Sequence, residues 1–188
     1  MITGIIMASG FSKRMRTDKL TIKIDGEKII ERVIKAAMDS KLDNIILVYR
    51  TEEIRRIGEK YNLRTIYNPV AHLGQSASVI IGTKNSHRSS ALMYLVADQP
   101  FLNKEVINRL IFEYDENKGS IVVPYFKNTF GMPIIFPPRF NYDLQNVLGD
   151  RGGREIINNN PNLVRKVYFK DEILGMDMDK PEDIQALE

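Results

Sequence analysis

Short, unbroken apolar runs recur along the chain, separated by segments whose apolar residues fall at helical spacing. The runs are Ile5–Ala8, Ile45–Tyr49, Ala91–Ala97, Ile121–Val123 and Ile134–Phe136. A strand with one wet face alternates apolar and polar positions, whereas a strand covered on both faces stays apolar throughout. These runs do not alternate, so they predict strands of a parallel sheet with helices on each side. Between them, Ile30, Val33, Ile34, Ala37 and Met38 share one helical face. Val106, Ile107, Leu110, Ile111 and Tyr114 form a second stripe, with Asn103 placed as its N-cap. Ile54, Ile57 and Tyr61 form a weaker third. Strand–helix alternation of this kind predicts the α/β class: a three-layer α/β/α sandwich around a doubly wound, mostly parallel, Rossmann-like sheet. Towards the C-terminus, Phe140–Leu148 reads as helical and Asn158–Pro161 as a helix exit. Val164–Phe169 reads as a last strand, mixed or antiparallel, and Asp179-Lys180-Pro181-Glu182 as the start of a closing helix through Leu187.

Length and composition narrow the picture. The 188 residues fit one domain over positions 1–188, and 43% hydrophobic with 27% charged residues is ordinary for a soluble globular protein. There are no cysteines, which excludes disulfides, iron–sulfur clusters, thiol nucleophiles and cysteine zinc sites. That fits a reducing compartment such as the cytoplasm. The N-terminus has no basic leader, and no apolar run approaches the roughly 20 residues of a membrane span. The net charge of +3 is dispersed, with acids between the basic residues. No basic run with interleaved aromatics marks a nucleic-acid surface, and the balance suits small phosphorylated substrates.

Chemistry concentrates where the predicted strands end. In open α/β sheets, ligands sit beyond the carboxyl ends of the strands. The first strand runs into Met7-Ala8-Ser9-Gly10-Phe11-Ser12-Lys13-Arg14-Met15, and Lys19 follows. Gly10 has no Cβ to keep a ligand from the backbone. The loop's N–H groups, with Arg14 and Lys19 beyond them, suit a polyanion such as a nucleoside triphosphate. A surface turn with solvated basic residues is the plainer reading of the same loop. Asp98 leaves the strand Leu92–Ala97 at its carboxyl end. It is placed either to hold a hard cation, since Mg²⁺ favours one or two carboxylates with phosphate oxygens and water, or to cap a turn.

Farther along, Asp177 and Asp179 stand at i, i+2 in an extended piece and so point the same way. Asp179 is placed to cap the closing helix, which leaves Asp177 as the second metal acid. Asn68 with Gln75, Ser76 and Ser78 offers amides and hydroxyls to a nucleobase, although Ser76 equally suits a helix cap. Gly149-Asp150-Arg151-Gly152-Gly153-Arg154 reads as a second anion cradle or as a plain helix-entry turn. His72 and His87 read as exposed loop residues.

Met7-Ala8-Ser9-Gly10-x-Ser12-x-Arg14-Met15 followed by Lys19 resembles the signature of the nucleotidyltransferases that act on the molybdenum cofactor. Ala97-Asp98-Gln99-Pro100 is similar to the cytidylyltransferase branch of that family. Gly74-Gln75-Ser76-x-Ser78, Gly131-x-Pro133 with Phe136, Gly149-Asp150-x-Gly152-x-Arg154 and Asp177-x-Asp179-x-Pro181-Glu182-Asp183 match the same branch in order. The matches span nearly the whole chain, and together, in order, they are specific where each alone is weak. Two positions depart: Ser9 stands where the family usually has Ala, and Arg16 where it usually has Gly. Guanine-using relatives carry a second glycine in the first motif, and its absence here points to a pyrimidine.

The resemblance implies the nucleotidyltransferase type of α/β sheet and transfer of CMP from CTP to Mo-molybdopterin. It implies Mg²⁺, or Mn²⁺, on Asp98 and Asp177, with Arg14 and Lys19 on the leaving pyrophosphate. It places Met7, Ala8, Ser9, Gly10, Phe11 and Ser12 around the nucleotide and Asn68, Gln75, Ser76 and Ser78 on cytosine and ribose. Gly131, Asp150 and Arg154 would face the pterin, and a molybdoenzyme or its chaperone would be the receiving partner. The guanylyltransferase of the same cofactor, a cytidylyltransferase for another small phosphate and a non-catalytic cofactor chaperone are the alternatives.

Overall fold

The computed structural model describes residues 1–11, 18–149, 153–179 and 183. Every residue of β1 (Ile2–Ala8) is buried, as its uninterrupted apolar run requires. The other elements among the described residues begin with a hairpin of β2 (Lys23–Ile24) and β3 (Glu27–Lys28), then α1 (Ile29–Met38) and β4 (Asn44–Tyr49). Next come α2 (Glu52–Lys60), β5 (Arg64–Tyr67), α3 (Gln75–Lys84), β6 (Ala91–Val96) and α4 (Lys104–Glu116). The chain continues with β7 (Ile121–Phe126), β8 (Thr129–Phe130), β9 (Ile134–Phe136), α5 (Asn141–Leu144), α6 (Arg154–Asn159) and β10 (Val164–Phe169).

The main sheet runs β10-β7-β9-β6-β1-β4-β5, with β8 paired to the end of β7. β6, β1, β4 and β5 are mutually parallel neighbours, and β10 is parallel to β7. Short β9 runs antiparallel to β6 and β7, and β8 antiparallel to β7. Alternate side chains of β1 enter different cores. Ile2, Ile6 and Ala8 pack with α1, α2 and α4, whereas Ile5 and Met7 pack with α3, α5 and α6. The three layers, the mostly parallel sheet and the α/β class follow the sequence expectation.

Two expectations are corrected. β10 pairs parallel with β7, not mixed or antiparallel. The cause is β9: it runs against its neighbours and ends where the parallel strands begin, so the next strand starts at that end. The helix expected over Phe140–Leu148 is limited to α5, preceded by a 3₁₀ turn at Pro138–Phe140. Amide side chains take the backbone carbonyls there: Gln145 donates to Asn141 O at 3.0 Å and Asn146 to Tyr142 O at 2.8 Å. Such bonds offer the backbone an alternative to helix. Asn103 caps α4 as expected, its side chain accepting from Val106 N at 3.0 Å. The closing helix lies outside the described residues except at its start, where Asp179 N donates to the Asp183 carboxylate at 2.9 Å.

The register of β1 with β6 sets Met7 beside Val96, so the loop after β1 and Asp98 emerge side by side. Helix α3 lies close on β1, because a Cβ at Gly82 would stand 2.5 Å from Ile5 Cγ2. That approach brings the first turn of α3 against the same edge. Gly82→Ala should therefore destabilise the fold by about 1–3 kcal/mol through overpacking, although alanine is the better helix former by about 1 kcal/mol. Urea unfolding would read this, and a variant as stable as the parent would mean that α3 has room to move.

Candidate active site

Two clefts open at the carboxyl edge of the sheet and share Met7, Gln75 and Val96 as a common wall. The first, of about 360 Å³, is lined by Ser9, Gly10, Phe11, Lys19, Gln75, Ser78 and Asp98, with His72 at its rim. The backbone at Gly10 faces open space, with no atom within 4 Å of where a Cβ would stand. Phe11 is 45% exposed and carries the Arg50 guanidinium 4.4 Å above its ring. The second cleft, of about 310 Å³, is lined by Tyr94, Gln99, Phe130, Gly131, Phe136, Arg154 and Asp177. Arg154 lies 5.3 Å from the Phe130 ring centroid, a cation held over an aromatic face.

Carboxylates crowd the wall between the clefts. Lys19 Nζ donates to Asp98 Oδ2 at 2.6 Å and to Asp179 Oδ1 at 2.8 Å. Burial works against the charge on Lys19, but Asp98 and Asp179 outweigh it and raise its pKa above the usual lysine value. Asp98 Oδ1 is buried with no hydrogen-bond partner among the described residues. Asp177 accepts from Gln99 Nε2 at 2.8 Å. Burial of its carboxyl, and then the charge of Asp98, push Asp177 up to about 6. An orphaned carboxylate oxygen beside a second, destabilised carboxylate fits a divalent cation. Among the described residues no three His, Asp or Glu side chains are grouped to hold a metal ion.

The sequence-predicted residues divide sharply. Lys19 and Asp98 meet, with Asp177 close enough for Asp98 to act on it. Met7, Ser9, Gly10, Phe11, Gln75 and Ser78 line the first cleft, while Ala8 is buried beneath it. Gly131 and Arg154 come together in the second cleft. Asn68 and Ser76 line neither. Asn68 is 1% exposed and donates to Ser9 Oγ at 2.8 Å and Ser78 Oγ at 3.3 Å, and those two hydroxyls lie 2.6 Å apart. Its carbonyl oxygen accepts from Val70 N at 3.1 Å.

Ser76 is not the cap of α3; it sits in the first turn and donates to Gly149 O. Both polar groups are thus satisfied inside the protein, where a base would have to displace existing bonds. Asp179 turns its carboxylate to Lys19. Ser12, Arg14 and Asp150 lie outside the described residues. His72 is exposed, as expected, although it borders the first cleft; sequence reasoning did not single out Gln99, Arg50 or Phe130. Only Gln99 carried a signal, as the neighbour of Asp98 in a quoted motif.

A family model for the MobA-like NTP transferase domain matches residues 4–165. The chain belongs to this family. As a MobA-like protein it is of the nucleotidyltransferase class, and the resemblance read from its motifs holds at that level. It is 30% identical over 167 residues to the purine catabolism protein PucB of Bacillus subtilis, covering 83% of this chain and 80% of that one. It is 31% identical over 125 residues to a probable molybdenum cofactor guanylyltransferase of Natranaerobius thermophilus, covering 65% of this chain and 60% of that enzyme. The fold matches Rv0371c of Mycobacterium tuberculosis, solved as a complex with manganese, with a TM-score of 0.82 at 19% identity over 99% of this chain and 97% of that one. No described helix is long and apolar enough to cross a membrane.

Because Asp177 titrates near 6 in the fold and near 4 when unfolded, the native state binds its proton more tightly. Stability therefore falls as pH rises from about 4 to about 6, and the cost is fully present above that window. Asp177→Asn removes the charge. The variant should match the parent below about pH 4, gain on it up to about pH 6 and hold the gain above. Thermal melts across this range check it; a constant difference would mean that Asp177 is not perturbed.

Proposed function

We propose that this MobA-like protein transfers CMP from CTP to the terminal phosphate of Mo-molybdopterin and releases pyrophosphate. The observation that carries the reading is the pair of clefts sharing one wall, with Lys19 and Asp98 lining the first and Asp177, within electrostatic reach of both, lining the second. Nucleotide belongs in the first cleft, against Gly10 and Lys19, and the acceptor in the second, against Gly131 and Arg154. A phosphate monoester has a second pKa of about 6, so the nucleophile is already ionised at neutral pH. No side chain has to remove a proton.

The barrier is repulsion between two anions, and positioning with positive charge lowers it. The acceptor phosphate oxygen attacks the α-phosphorus of CTP, and the bond to the β-phosphate oxygen breaks as pyrophosphate leaves. Lys19 sits at the cleft that would hold the triphosphate and neutralises charge on the departing group. On the resemblance alone, Arg14 shares this task, the backbone around Ser9–Ser12 holds the triphosphate, and Asp150 faces the pterin. Asp98 and Asp177 would hold Mg²⁺ or Mn²⁺, which when bound supplies the countercharge between the two phosphates. The choice of CTP rests on the Ala97-Asp98-Gln99-Pro100 motif and on Ser9. The Ser9 side chain is 2% exposed and locked to Ser78 and Asn68, filling space that a glycine would leave for a purine. The names of relatives favour a second reading, guanylyl transfer from GTP to the same cofactor.

Pyrophosphate release measured with each of the four ribonucleotides, with and without Mo-molybdopterin, decides the matter. CTP should give the fastest release, and only with the acceptor present. Dominance of GTP would transfer the assignment to the second reading; release with CTP and a different phosphate acceptor would replace the pterin. Pterin binding with no release from any nucleotide would mark a cofactor chaperone. Lys19→Ala should lower turnover by roughly 10²–10³, the loss typical of one transition-state donor, and near-normal turnover would discard its role. Asp98→Asn should abolish divalent-dependent release while keeping a folded circular-dichroism spectrum; an unfolded variant would make Asp98 a structural cap.

A further inference from the structure

The segment Gly175–Asp179 runs as a strap from the end of β7 to the residues that follow β6. A Cβ at Gly175 would stand 2.2 Å from the Phe126 ring, so its backbone is pressed onto the core. Met178 is fully buried in a small cluster with Ile24 and Ile29, and Met178 N donates to Asp98 O at 3.0 Å. Between these anchors stands Gln99, itself 2% exposed. Its Nε2 donates to Gly175 O at 3.1 Å and to Asp177 Oδ1 at 2.8 Å. Both amide hydrogens are used, and Oε1 is left buried with no partner among the described residues. Turning the amide over would set its oxygen against a carbonyl and a carboxylate, so the hydrogen-bond network fixes its sense.

We infer that Gln99 is a positioning residue that holds the Asp177 carboxylate at the wall between the two clefts. This rests on the proposed reading of Asp177 as a metal acid. The unsatisfied Oε1 argues for it. A simple tether would satisfy both ends of the amide, whereas this one leaves its acceptor buried and unpaired to present two donors in one direction. A neutral donor is also the suitable chemistry. It orients one carboxylate oxygen without cancelling the charge that a cation needs, as a lysine would, and without repelling it, as a glutamate would. Asp177 Oδ2 has no hydrogen bond among the described residues and remains available beside Asp98. Outer partners of metal ligands typically change affinity 10–100-fold.

The test is Mn²⁺ binding to the full chain, followed by electron paramagnetic resonance, for the parent, Gln99→Met, Asp177→Asn and the double variant, with melting temperatures alongside. Gln99→Met should weaken Mn²⁺ binding by about tenfold, and the double variant should bind no more weakly than Asp177→Asn alone. Gln99→Asn, one methylene too short to reach Asp177, should behave like Gln99→Met and serves if the latter does not fold. In turnover assays the loss should fall on kcat and spare the KM for nucleotide. Parent-like Mn²⁺ affinity in the folded Gln99 variants, or losses that multiply in the double variant, would overturn the role of Gln99 alone. Unchanged affinity in Asp177→Asn would instead overturn the metal role of Asp177, and this inference with it.

Discussion

Negative charge gathered at the end of a parallel sheet is the constraint around which this edge of the molecule is arranged. Asp98, Asp177 and Asp179 come within electrostatic reach of one another, and among the described residues Lys19 bridges two of them. Carboxylates crowded in this way destabilise one another unless a cation or a proton intervenes. The lysine supplies part of that charge, and Asp177 is still held above the usual carboxylate range, first by burial and then by the charge of Asp98. The fold keeps the cluster because its members come from elements that cannot separate. Asp98 follows β6, the strap is pinned by the buried Met178, and Lys19 opens a 3₁₀ turn capped by Asp18. Fold stability therefore holds these carboxylates together against their mutual repulsion.

Most of the scaffold was legible because burial on both faces leaves a plain mark on sequence. The runs containing Ile5, Leu47, Leu92 and Ile134 are strands because nothing polar fits between two helical layers. β5 was not legible: it is a four-residue edge strand whose Arg64 faces solvent, so no apolar run announces it. The β2–β3 hairpin had a readable signal in Asp25-Gly26, both with positive φ, the dipeptide that a tight hairpin turn selects. The direction of β10 was hidden because it depends on β9 reversing first, which composition does not encode.

At the site, the place of Asp98 at the carboxyl end of β6 was legible, but its position alone suited a turn cap as well as a cation. Its partner was not legible. Lys19 lies 79 positions away in sequence and Asp179 lies 160 from Lys19, and pairing over such distances is a property of topology. Spacing correctly turned Asp177 and Asp179 towards one edge, but it could not assign them different partners. Asn68 and Ser76 show the converse failure. Amides and hydroxyls near a helix start look alike whether they face a ligand or each other, and only burial separates the two.

The buried Asn68–Ser9–Ser78 set gives these residues a different importance from the contact role read in sequence. Ser9 leaves β1, Asn68 follows β5 and Ser78 belongs to α3, so their bonds join three elements at the start of the loop after β1. A hydroxyl at position 9 can join that set; an alanine, usual in the family at this place, cannot. The loop after β1 is thus tied to α3 by hydrogen bonds in this chain, in addition to the close packing of Gly82 on Ile5. The start of the loop, at Ser9, is fixed from below through Asn68, which is buried and lines neither cleft. The departure from the family pattern at Ser9 then changes how firmly the loop is held, and it changes the shape of the cleft through the volume it fills.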